Sequence, residues 1–165
     1  MQNVNFVKMG VELAEHLKND GDIKNFCQDT FGKDVSILVG DPTDRLLPTE
    51  EDAPYIFLWG FKKKEGTTIK DPAEYQCNFG CGVSEKDDSE TDSGIVIAGG
   101  FERVSELMNL VQHSLFGFKE GCKPPDVVEA DVMGALESTN THWAGNITAT
   151  WKVPQTLGMG EITDF

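Results

Sequence analysis

Cysteine, histidine and positive charge are all scarce in this 165-residue chain: four Cys, three His and 14 Lys plus Arg stand against 28 Asp plus Glu. A net charge of −14 is the opposite of the basic footprint with which proteins grip nucleic-acid phosphates. The excess acid is read as solubility and self-repulsion, with a dedicated acidic surface as the alternative. No apolar run approaches the roughly 20 residues that cross a bilayer as a helix. The opening Met-Gln-Asn-Val-Asn-Phe-Val-Lys has neither the basic nor the apolar region of a secretory signal. The expectation is therefore no membrane contact and folding in a reducing cytoplasm, with thiols free. Asn146-Ile147-Thr148 matches the glycosylation pattern, but without a secretory signal it counts as chance. Gly80, Gly82 and the pair Gly99-Gly100 form no Walker or dinucleotide fingerprint, since no Lys-Ser/Thr follows. Asp87-Asp88 and Asp126 lack the spacing of an EF-hand.

What the chain does have is 39% hydrophobic and 25% charged residues, an ordinary soluble composition, in a length that suits one domain over residues 1–165. Its densest feature is Tyr55-Ile56-Phe57-Leu58-Trp59-Gly60-Phe61, introduced by Glu51-Asp52-Ala53-Pro54 and followed by Lys62-Lys63-Lys64. This reads as a central strand covered on both faces, with Pro54 at or before its first position. Strict alternation puts Tyr55, Phe57, Trp59 and Phe61 on one face and Ile56 and Leu58 on the other. One set is expected to meet helices, the other a second layer or a neighbouring subunit.

Before this strand, Val4, Val7, Val11, Ala14 and Leu17 recur at helical spacing, and Asn19-Asp20-Gly21 stops that helix. Asp22 is placed to cap a second helix carrying Ile23, Phe26, Cys27 and Phe31, ended by Gly32. Residues 35–39 follow as a first strand, and residues 40–54 as a long acidic connection. After the lysines, residues 74–83 alternate loosely and suit a strand antiparallel to the central one. Residues 84–93 are polar, acidic and free of apolar side chains, so they read as a solvated loop tip. Ile95-Val96-Ile97 is a short apolar segment ended by Gly99-Gly100. Residues 101–115 give the clearest helix, with Val104, Leu107, Met108, Val111 and Leu115 in one stripe. Residues 127–135 and 147–153 read as an antiparallel strand pair joined by a loop over 138–145. The tail, 155–165, carries Leu157, Met159, Ile162 and Phe165 without a usable period. The order implies an α+β fold, helices on one face of a mainly antiparallel sheet.

Chemistry is thinly represented. Cys77 and Cys81 are the nearest thing to a ligand pair, yet a zinc site needs four N/S ligands. Four positions apart on a strand, they share a face at roughly 13 Å if fully extended. Cys27, Cys122, His16, His113 and His142 have no partner spacing. Core thiols are the default reading, with a thiol- or metal-dependent enzyme using Cys77 and Cys81 as the alternative. His113 lies at the edge of the helical stripe, and His142 sits in the hairpin loop beside Trp143 with no visible partner. No catalytic, cofactor-binding or metal-ligating residue is assigned, and the chain is not expected to be an enzyme.

The succession of parts nevertheless resembles the tail terminator (tail-completion) proteins of long-tailed bacteriophages. The resemblance rests on an N-terminal helix before a short strand and on the acidic-Pro-Tyr-apolar phrase Glu51-Asp52-Ala53-Pro54-Tyr55-Ile56-Phe57-Leu58. It rests further on the late helix over 101–115 and on a strand pair whose last arm holds Ala149-Thr150-Trp151-Lys152-Val153. It implies a non-enzymatic structural protein of the virion, assembled in the host cytoplasm. Such a protein forms a hexameric ring on the head-proximal end of the tail tube. The ring stops tube polymerisation and joins the neck, and genomic DNA passes through its lumen without specific binding. The implied partners are further copies of the chain, the tail tube protein and a head–tail connector; a stopper or connector role is the neighbouring alternative.

Overall fold

The computed structural model describes residues 5–42, 47–66, 68, 70–117, 123–136 and 141–154. Helix α1, Phe6–Asn19, starts where the Asn5 side chain accepts from the backbone N–H of Val7 and Lys8 at 2.9 and 3.3 Å. Asp20 then works twice. Its backbone closes α1, and its carboxylate caps α2, Gly21–Phe31, accepting from the N–H groups of Asp22 and Ile23. Asp22 is thus inside the first turn of α2, correcting its expected place as the cap. Gly32 ends α2 in the left-handed region at φ 68°, where a residue without Cβ is at ease.

The core sheet has the order β1-β2-β3-β7-β6, from β1 (Ser36–Val39), β2 (Tyr55–Lys64), β3 (Ala73–Ser84), β6 (Val127–Leu136) and β7 (His142–Val153). Among the described residues only the β1–β2 pair of this sheet is parallel; the others are antiparallel. Helix α3, Gly99–Phe116, lies with α1 and α2 on one side of this sheet. The fold is therefore α+β, as the order of elements implied. Between the sheet and the helices, Met9, Leu13, Leu17, Ile23, Val104, Leu107, Met108, Val111 and Leu115 close on Ile56, Leu58, Phe79, Ile147 and Trp151. Burying such side chains is the main stabilising term, about 1.5–3 kcal/mol for each large one.

Several further expectations need correcting. In α1 the buried stripe is Met9, Leu13 and Leu17, while Val7 and Val11 are exposed; two stripes fit one helical period, and the bulkier one won the core. In β2, Gly60 adopts φ 63° and the register with β3 shifts between Trp59 and Lys62. This bulge flips Phe61 to the helix side, where its ring meets Phe6 at 6.1 Å, whereas Tyr55, Phe57 and Trp59 keep the other face. The strand also continues through the lysines as far as Lys64.

The acidic segment 84–93 is not a plain loop. Ser89–Glu90 (β4) pairs with Val96–Ile97 (β5), and Asp88 accepts from the N–H of Gly99 at the start of α3. Negative charge suits that helix end. Gly99 and Gly100 belong to α3: a Cβ on Gly99 would meet the Asp87 carbonyl, and one on Gly100 the Trp143 ring. Finally, β7 starts at His142, so residues 142–145 are strand and not hairpin loop. Gly145 lies so close beneath Met108 that any Cβ would collide with its sulfur. Packing against α3 has overridden weak strand propensity there. Residues 155–165, Val4 and Cys122 lie outside the described residues.

Candidate interaction surface

The parity of each strand assigns its side chains to the helix side or to the helix-free side. Cys77 and Cys81 both fall on the helix side of β3, fully buried among core side chains, as does Cys27 on α2. All three are free thiols. Burial pushes Cys81 up to about 12, and Cys27, which also feels Asp34, to about 12; Cys77 moves higher still. Desolvation disfavours the thiolate that nucleophilic or ligand chemistry requires. A thiol reagent should therefore label at most one of the four cysteines in the native protein and all four after denaturation. Rapid native labelling of two or more would contradict this placement.

The histidines separate. His16 Nε2 lies 2.8 Å from the Ser114 carbonyl, joining α1 to α3, and His113 is exposed. His142, expected to be unpartnered in a loop, is 2% exposed, and its Nε2 lies 3.0 Å from the Tyr55 hydroxyl. Tyr55 reaches it across β3 because Gly82 lies directly beneath the ring, which would occupy the place of any Cβ. Burial raises the Tyr55 hydroxyl to about 12. No sequence spacing foretold this pair, 87 residues apart; the register Tyr55–Gly82–Ala144 creates it.

Beside this pair, the capped turn at Glu50–Asp52 places Glu50 against the strand ends. Ser84 Oγ and Thr141 Oγ1 donate to Glu50 Oε1 at 2.7 and 2.5 Å. The bond from Thr141, then that from Ser84, hold the carboxyl below its ordinary 4.5, and His142 adds to this. A lowered folded-state value means stabilisation that is present above the ordinary value and lost as pH falls through the folded one. Glu50→Gln should accordingly be less stable than wild type at pH 7, and the gap should close below about pH 4.5. Urea midpoints measured from pH 7 down to pH 3 check this; a gap independent of pH would refute it.

Further along the helix-free face, Asn78 Oδ1 accepts from Thr148 Oγ1 at 2.7 Å and from Asn146 Nδ2 at 3.4 Å. The Asn146 of the glycosylation-like triplet is thus a sheet residue engaged with its neighbours. Next to this ladder, Tyr55 and Phe57 pack with Ala53, Leu38 and Trp59 into a second, smaller apolar cluster. Among the described residues no group of three or more His, Cys, Asp or Glu converges as a metal site. Nor is any described helix long and apolar enough to cross a membrane.

The sheet's two margins differ in chemistry. Along β6 the outer edge is unpaired among the described residues, and Val127, Val132 and Met133 are exposed, Met133 by 64%. Glu129 and Asp131 also stand exposed there, on the helix-free side. At the opposite margin β1 covers only Tyr55 to Leu58 of β2. From Gly60 to Lys64 the outer edge of β2 has no strand beside it among the described residues. No protein-family model matches the chain, and no curated protein matches it. An unpaired strand edge is a template for adding another strand.

Proposed function

We propose that this chain is a structural assembly protein of a long-tailed phage: a ring at the head-proximal end of the tail tube that ends tube growth and joins the neck. The observation carrying this reading is the sheet whose two unlike margins are open among the described residues, with the described helices on one side and exposed Val127, Val132 and Met133 along one edge. Such a unit suits repeated head-to-tail contacts, which close into a ring when the rotation per copy is right. Six copies, the tube protein and a head–tail connector as partners, and a virion location all come from the family resemblance. The net charge of −14 fits a passage that DNA phosphates traverse without adhering. The test is to add the purified chain to tail tubes of the phage that encodes it and to image the tubes. Rings at one end only support the reading. Bare ends, or chain decorating the tube wall, speak against it.

A further inference from the structure

Charge and apolar character at the two margins match one another when they are brought together. In the sheet, β2 and β7 run one way and β3 and β6 the other. The β6 of one copy would therefore meet the β2 of an equally oriented copy in antiparallel fashion. We propose that β6 of one copy pairs with the outer edge of β2 from Gly60 to Lys64, which has no strand beside it among the described residues, in a second copy of this chain, and that this strand addition is the contact from which the ring is built. The inference rests on the ring reading above and names its interface.

The register follows from chemistry. Lys62 and Lys64 are exposed on the helix-free side, opposite Gln76 and Glu74 of β3. Glu129 and Asp131 are exposed on the same side, opposite Thr148 and Asn146 of β7. One antiparallel register sets Asp131 against Lys62 and Glu129 against Lys64. It also sets exposed Val132 against half-buried Phe61, both on the helix side. Opposite charges directly across a strand pair attract, and like charges repel. Within one copy Lys62 stands level with Val127, through Gln76 and Thr150. Pairing Lys62 with Asp131 therefore staggers successive copies by four residues (131 less 127). A sheet that closes on itself needs such a stagger. Helix α1 overlies the receiving margin, with Gly10 against Val39 and Phe61, and it carries the exposed Val7 and Val11.

The experiment uses two double variants, Glu129→Lys with Asp131→Lys and Lys62→Glu with Lys64→Glu, in sedimentation velocity at low salt. Wild type should associate with rising concentration. Each variant alone should stay monomeric, because like charges face each other. An equimolar mixture should associate again, because every contact in an alternating assembly is then complementary. Recovery in the mixture also shows that neither variant is merely misfolded. A second pair, Asp131→Cys and Lys62→Cys, should yield an intermolecular disulfide on mixing and oxidation. The inference is overturned if wild type stays monomeric, if the charge variants associate as wild type does, or if the mixture fails to recover. Tube capping by a chain whose variants associate unchanged would leave the ring reading standing without this interface. Association through these edges with no capping of tubes would do the reverse.

Discussion

Gly82→Val is expected to lower unfolding stability by about 2–5 kcal/mol, one of the largest effects of any single change on the helix-free face. The Tyr55 ring occupies the space that a Cβ at this position needs, its Cζ nearest of all. That ring cannot yield cheaply, since its hydroxyl is tied to buried His142 and it packs with Ala53 and Phe57. Displacing it adds the cost of leaving buried polar atoms without partners to the cost of overpacking. Gly80 supplies the control two positions away on the same face. A Cβ there meets nothing closer than 3.6 Å, so Gly80→Ala should be neutral or stabilising by up to about 1 kcal/mol. Equilibrium denaturation of both variants decides the matter; equal losses would mean that the two glycines do the same job.

Trp151→Ala should cost about 3–5 kcal/mol, the usual range for removing a fully buried large aromatic side chain. Trp151 is 1% exposed in the main core, and its indole N–H donates to the Lys123 carbonyl at 2.8 Å. Lys123 in turn donates from Nζ to the Lys152 carbonyl, and Asp126 accepts from the Lys152 N–H. The indole therefore anchors the chain where it enters β6. Beyond the global loss, amide exchange should rise first at residues 126–130, ahead of β2 and β3. Protection lost evenly across the sheet would show that this anchoring is absent.

Long-period features of the fold were legible in the sequence because each rests on a strong local signal. The stripe from Val104 to Leu115, the apolar run from Tyr55 to Leu58 and the turn at Asp20 each have one good solution. Structure and sequence part where local signals are degenerate or are overruled by packing. Val7 and Val11 suited a buried stripe as well as Met9 and Leu13 did, and only the position of the sheet decided between them. Strict alternation puts Phe61 with Tyr55, Phe57 and Trp59, and a single positive-φ glycine breaks it. The residues 142–145 carry little strand propensity and are held in β7 by Trp143 and Gly145 under α3. The Tyr55–His142 pair was invisible because it is a product of register across three strands, and no spacing along the chain encodes it. The unlike margins had a trace in the sequence, Lys62-Lys63-Lys64 against Glu129 and Asp131. Without the sheet order, nothing marked them as opposite edges.

We propose that this chain bounds an assembly by contacts between copies and neighbours. The most direct measurement is tube length in virions from which the chain has been deleted. The account predicts tubes of unregulated length with heads unattached, restored to uniform length when wild-type chain is supplied. Deletion that leaves tubes uniform and joined to heads would contradict it.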